Sequence, residues 1–503
     1  MNRKAIHNLT RRGLLAGAAA SLAAPVLGQG LLTSPRPVLR GGPRLPEADV
    51  LVREAGISGD VVFAVADATT GEVLEARGKD MPIAPASVTK AITALYALDV
   101  LGASHRFRTR LMATGPVTDG ILDGNLILAG GCDPTLDTRD LALLAARLKE
   151  AGIREVRGGF VVHEGPVLSV RAIDPGQPDH VGYNPAVSGI ALNFNRVHFE
   201  WKRVSGDYTI TMDARTGKYR PDVDIARMSI ADRGQPVYTY RDADGRDNWT
   251  VARGALGREG ARWLPVRRPG LYAGEVFATL ARSNGIVLKP PAVISILPPA
   301  KEVAAVESAP LSEVLQGMLK FSTNLSAEMV GLAATYARAG QVPTLAASAR
   351  EMNRWAQENL GMVGPAFADH SGLGSASRIS AVDMVRGLSA LGHAELLRPL
   401  LKPVKLLDAA GRTTNNHPVK ADAKTGTLNF VSGLAGYATA TGGRELVFAI
   451  FSADEDIRAS LTQDQRERPP GGRTWANRSR RLQRRLIMRW GSAFNERTVS
   501  ANN

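Results

Sequence analysis

Ser87 and Lys90 stand three residues apart in PASVTK (85–90), directly ahead of the apolar run AITALYALDVLG. On a helix that spacing puts both side chains on one face, about 5–6 Å apart at Cβ. A desolvated lysine gives up its proton readily, and beside a serine it can act as the base that makes the hydroxyl nucleophilic. The pair alone is also the pattern of a helix-capping serine followed by a solvated lysine. Two further groups decide between these readings. Ser322-Thr-Asn324 falls in a helical stretch, FSTNLSAEMVG, and Lys424-Thr-Gly426 opens a strand-like one. Ser-x-x-Lys, Ser-x-Asn and Lys-Thr-Gly, in that order on helix start, helix region and strand, form a set for acyl transfer through serine.

Physical chemistry assigns each residue an expected role. Ser87, at a helix N-terminus, has backbone donors and the positive end of a dipole near it. Lys90, one turn inward and desolvated, takes the serine proton, and Lys424 helps by raising the local positive potential. Ser322 relays a proton to the leaving amine, and Asn324 holds Lys90 and the substrate amide. Lys424 and Thr425, with Gly426 and Thr427 beside them, bind a terminal carboxylate. The N–H groups of Ser87 and Thr427 form an oxyanion hole if the strand runs beside the helix.

The elements that must position these residues are legible in part. DVVFAVADATTGEVLEARGKD (60–80) reads as a β-hairpin, and the PASVTK helix follows it. From 106 to 300 short apolar runs alternate with turn residues, predicting mostly β structure with one helix near 140–152. Helical periodicity returns over 311–340 and 346–361, and 420–454 reads as two strands joined at Gly442-Gly443. The predicted fold is an α/β domain interrupted by a mostly β insertion. RTWANRSRRLQRRLIMRW (473–490) predicts a basic amphipathic helix with Leu482, Leu486 and Trp490 on one face. Such a helix either closes the domain or makes peripheral contact with an anionic membrane.

Composition narrows the setting. The 503 residues carry a net charge of +14, with 44% hydrophobic and 22% charged residues, as in a globular chain drawn to anionic polymers. The first 28 residues combine a basic start with a short small-and-apolar run, the pattern of a secretory leader. Arg11-Arg12 followed by Gly-Leu-Leu resembles a twin-arginine signal, implying export to the periplasm. A proline- and arginine-rich linker follows, at 29–46. The single cysteine, Cys132, excludes an internal disulfide and reads as a buried thiol. CxxC, HExxH and calcium-loop patterns are absent, and Asp242-Ala-Asp-Gly-Arg-Asp247 reads as a turn. Export and an aromatic content of 5% argue against nucleic acid as a partner.

The spacing of the motifs carries a resemblance. Ser87 and Ser322 lie 235 residues apart, whereas 102 separate Ser322 from Lys424. A long insertion between the first two motifs resembles the class C low-molecular-mass penicillin-binding proteins, the D-alanyl-D-alanine carboxypeptidase/endopeptidase family. GGCDPTL (130–136), YNPAVSGIALNFN (183–195), FSTNLSAE (321–328) and Asp369-His-Ser-Gly-Leu373 are similar to further family segments. Cys132 departs from the family's small residue, and His370 fills a variable place. The family's logic uses Lys90, not His370, as base. The resemblance implies a transpeptidase/β-lactamase-like α+β domain, with an antiparallel sheet flanked by helices, from 47–105 and 301–503. The 106–300 region then forms two small, mostly β domains. It also implies no metal or organic cofactor, peptidoglycan stem peptides as substrate, an acyl-Ser87 intermediate and β-lactams as inhibitors. A β-lactamase, or a non-catalytic wall-binding or penicillin-sensing protein, are the competing readings. The motifs suit carboxypeptidase and endopeptidase action equally.

Overall fold

The computed structural model describes residues 45–495 apart from Leu391, Ala409 and Gln463. The leader at 1–28 and nearly all of the linker at 29–46 lie outside the described residues.

The strand Asp60–Asp67 is buried along almost its whole length, which is why its sequence reads as one apolar run rather than an alternation. Period-2 geometry still divides it: Val62, Ala64 and Ala66 enter one core, Val61, Phe63 and Val65 another. It lies in a six-stranded antiparallel sheet whose order is Lys402–Pro403, Lys420–Leu428, Val431–Thr439, Glu445–Ala453, Asp60–Asp67, Val73–Arg77. Helices Thr89–Leu101, Asn324–Ala339, Leu345–Leu360 and Ala381–Ser389 cover the first face, sharing one hydrophobic cluster with it. Ala48–Ala55 and the long helix Gly472–Ala493 cover the second. The result is a helix–sheet–helix sandwich.

The C-terminal helix seats Leu482, Leu486 and Trp490 in that second core, each at most 1% exposed. Its arginines point outward or tie the N-terminal helix down: Arg478 donates to Gly56 O and Arg485 to Glu54. The apolar stripe is therefore spent on internal packing, and the outer face offers only charge. Trp490 packs 5.5 Å from the Phe63 ring and donates its indole N–H to Glu75. Trp490→Ala is expected to lower stability by about 3–5 kcal/mol, read as a fall in thermal midpoint.

The intervening segment builds its own core. A five-stranded sheet, ordered Ala292–Ile294, Phe160–His163, Leu126–Ala129, Arg108–Ala113, Lys301–Glu307, packs on helices Thr138–Glu150 and Pro269–Ser283. Three three-stranded sheets, built on the central strands Arg196–Val204, Arg246–Ala252 and Ile121–Leu122, complete it. Lys301–Glu307 pairs antiparallel with Arg108–Ala113, so the chain leaves and returns to the main domain through neighbouring strands. Lys301–Glu307 is thus hydrogen-bonded into the sheet of the intervening segment.

Three local expectations need correction. The insertion holds a second helix, Pro269–Ser283, whose alanine- and glycine-rich sequence was absorbed into the β texture. The 311–340 helix is two, Leu311–Phe321 and Asn324–Ala339, broken where Ser322 turns left-handed at φ +57°. The 420–454 stretch is three strands, the missed turn being Asn429-Phe430, with Phe430 at φ +53°.

Candidate active site

Ser87 sits in a single 3-10 turn, Ala86–Val88, that runs directly into the helix Thr89–Leu101. The turn makes no side-chain cap, so the serine hydroxyl is not consumed by the helix end. Ala86 is held at φ +47°, a strained setting for a residue with a Cβ. Its carbonyl is pressed by the loop at Gly372, where any Cβ would come within 1.9 Å of Ala86 O and φ is +70°. The turn that presents Ser87 is thus clamped from behind.

Lys90 is fully buried. Its Nζ donates to Asn324 Oδ1 at 2.7 Å and to Ser371 O at 2.6 Å, and lies 3.0 Å from Ser87 Oγ. Asn324 cannot flip to offer its amide nitrogen, because Nδ2 donates to Tyr183 O at 2.9 Å. Two acceptors occupy two N–H bonds. A neutral amine has two N–H bonds and one lone pair, so the lone pair faces the serine hydroxyl. Burial lowers the lysine to about 8, against opposing pulls from Asp369 and then Glu328. Roughly one molecule in ten then carries the neutral amine at pH 7.

Lys424 approaches from the strand Lys420–Leu428, donating to Ser322 Oγ at 2.9 Å and to Thr425 O at 2.7 Å. Burial, then the charges of Lys90 and Lys402, hold it well below the usual lysine range. The left-handed turn at Ser322 is what lets both Ser322 and Asn324 face the cleft from the junction of two helices. Along the strand, Thr425 and Thr427 are exposed in the cleft while Lys424 and Gly426 are buried. Gly426 was expected on the binding wall, but it lies behind it. A Cβ there would stand 2.6 Å from Pro85 O and 3.2 Å from Ser87 N, so the missing side chain lets the strand run beside the serine turn. That adjacency is the condition the oxyanion hole required. The cleft encloses about 1120 Å³.

Two buried carboxylates, quoted from sequence only as members of family-like segments, were given no role there. Glu328 accepts from Ser371 N at 2.9 Å and His370 N at 3.2 Å, while Asp369 accepts from Ser371, Gly372 and Gly374 N–H groups. Together they fix the loop whose Ser371 carbonyl holds Lys90. Burial, and then the charge of Asp369, push Glu328 up to about 8; burial raises Asp369 as well. The available signal was Glu328 four residues beyond Asn324, on the same helical face. Tyr183, from the insertion, was marked only as the start of the family-like segment YNPAVSGIALNFN, and its bond to Asn324 comes from the backbone carbonyl, which side-chain identity does not reveal.

The residues set aside stay aside. His370 is buried, its ring bonded to Ser348 Oγ at 2.7 Å, and burial drives it down to about 3, a neutral core group. Cys132 is a buried free thiol pushed up to about 12.

Fold and comparisons together define a serine-type peptidase. The chain belongs to the D-Ala-D-Ala carboxypeptidase 3 (S13) family, whose pattern matches residues 48–469. It is 29% identical over 479 residues to the D-alanyl-D-alanine carboxypeptidase of Actinomadura sp. (strain R39), covering 88% of this chain and 87% of that one. It is 26% identical over 389 residues to the D-alanyl-D-alanine carboxypeptidase DacB of Haemophilus influenzae, covering 73% and 79%. In fold it is similar to the crystal structure of penicillin binding protein 4 (dacB) from Haemophilus influenzae. The TM-score there is 0.72 at 19% identity, over 88% of this chain and 99% of that one.

Proposed function

We propose that Ser87 attacks the carbonyl of a D-Ala–D-Ala bond in peptidoglycan stem peptides and carries the acyl group to water. Lys90 takes the Oγ proton as the O–C bond forms. The amide C–N bond breaks as Ser322 passes its proton to the departing amine and takes one in turn from Lys424, which the proton on Lys90 replaces, so that Lys90 is neutral again. A water then attacks the acyl-Ser87 ester and gives a proton to the neutral Lys90, which returns it to Ser87 Oγ as the acyl C–O bond breaks. Thr425 and Thr427 receive the terminal carboxylate in the positive potential of Lys424, and the Ser87 and Thr427 N–H groups bind the oxyanion. β-Lactams acylate the same serine.

The observation that carries this reading is the 3.0 Å contact between Lys90 Nζ and Ser87 Oγ, made while Asn324 and Ser371 take two of the amine's N–H bonds. Action on cross-links, cleaving between two strands, is compatible with an open cleft. The reading includes export to the periplasm by the twin-arginine route. Any membrane contact then rests on arginine charge alone, because the apolar stripe of the last helix is internal.

The test follows D-Ala release from a D-Ala-D-Ala-terminated peptide alongside the intact mass under excess benzylpenicillin. D-Ala release with a lasting single adduct on Ser87 supports a DD-peptidase. Rapid drug loss without an adduct makes the protein a β-lactamase. Absence of both leaves a wall-binding protein that does no chemistry.

A further inference from the structure

The cleft does not end at the strand bearing Thr425 and Thr427. It continues past Asn429 along the segment that joins the strand Glu445–Ala453 to the last helix, where Arg458, Arg466, Arg468 and Arg473 line it. None of the four is paired with a carboxylate among the described residues. Arg458 donates to Asn429 O at 3.0 Å and Arg466 to Gly176 O, so both inner guanidiniums are anchored on neutral acceptors, with the charges of Glu455 and Asp174 acting on Arg458 from farther off. Arg468 and Arg473 are exposed. Three acidic residues line the same cleft against six arginines, Arg378 and Arg480 included: Glu455 lies 3.4 Å from Arg378, Glu467 bonds His180 at 2.8 Å and Arg262 at 2.9 Å, and Asp174 accepts from Gly176 N and Gln177 Nε2. A net positive field fills this arm of the cleft.

Resting on the reading of Ser87 above, we propose that this arm binds the carboxylates of the second peptide strand of a cross-linked substrate. A terminal dipeptide cannot fill about 1120 Å³, a volume at the upper end of ligand clefts generally. A cross-linked peptide pair brings free carboxylates on both strands, and arginine forks bind carboxylates in bidentate fashion. The arginines share one cleft with Ser87 rather than a separate surface, which favours substrate over an acidic protein partner.

The test compares the wild type with the double variant R468Q/R473Q on three probes: a purified cross-linked peptide dimer, a short N-acylated peptide ending in D-Ala-D-Ala, and benzylpenicillin. The expected result is a KM for the dimer raised about tenfold in the variant, matching the two lost charge contacts. The wild-type KM for the dimer rises with salt, and amidating the carboxylates of the second strand removes its sensitivity to the variant. Hydrolysis of the short peptide and the acylation rate stay within about twofold. An unchanged dimer KM, or an equal loss on dimer and short peptide, overturns the inference. So does a wild type that cleaves the short peptide and not the dimer. A wild type inert to all three probes overturns the reading of Ser87 itself, and this inference with it.

Discussion

Ser87→Ala is expected to abolish the benzylpenicillin adduct and to lower peptide hydrolysis by at least about 10⁴-fold, the scale on which removing a nucleophile acts. The variant should remain folded. Ser87 lies in a one-turn 3-10 segment and makes no cap, and its hydroxyl contacts Lys90 alone among the described residues. Losing that contact leaves Lys90 with both of its carbonyl acceptors. Intact mass against time reads the adduct, and thermal unfolding reads the fold. Residual acylation at a wild-type rate would move the nucleophile elsewhere, and Ser322 is the hydroxyl next examined.

The second large effect belongs to Lys90. Lys90→Met keeps the volume of a fully buried side chain but removes the base, and acylation should fall by about 10³–10⁴-fold. The pH profile carries a sharper signature. With the lysine lowered to about 8, the wild-type acylation rate should climb about fivefold from pH 7 to pH 8 and flatten above about 9. In the methionine variant that rising limb should vanish. A stability measurement provides an independent sign. The folded protein holds Lys90 below its ordinary 10.5, so between about 8 and 10.5 the unfolded chain binds more protons. Wild-type stability therefore gains as pH rises through that window, and is lowest with respect to this group below pH 8. The stability difference should accordingly shift toward Lys90→Met as pH falls from about 10.5 to 8. A pH-independent difference would mean that Lys90 keeps its ordinary proton in the fold.

Local patterns were legible where local forces decide. The apolar run of 60–67, the turn after it and the helix carrying Lys90 follow from periodicity and turn chemistry within about thirty residues. The same rules failed where the deciding atoms were distant. Ser322 ends one helix and opens the way to the next in a left-handed conformation, without the glycine or asparagine that usually signals it. Its reward is tertiary: the turn brings Ser322 Oγ to Lys424 and Asn324 Oδ1 to Lys90. Asn429-Phe430 closes a hairpin without a glycine, whereas Gly442-Gly443 was read as a turn from its glycines alone. Pro269–Ser283 looked like part of a β region because its apolar face is defined only by the five-stranded sheet it covers.

By itself the sequence singled out the residues proposed for chemistry: Ser87 with Lys90, Ser322 with Asn324, and Lys424 with Thr425. It determined the order of those motifs and the length of the insertion, enough to resemble one family. Side-chain identity and helical spacing are properties of neighbours in the chain, so no folding was needed to read them. Only the tertiary structure decided that Lys90 is buried beside Ser87 with its proton loosened. That depends on burial among groups as far off in sequence as Asn324 and Ser371, on the carboxylates of Glu328 and Asp369 beneath the loop, and on a glycine strand lying against the serine turn. A proton's place on an amine is set by desolvation and by which acceptors have claimed its N–H bonds, and those are distances through space.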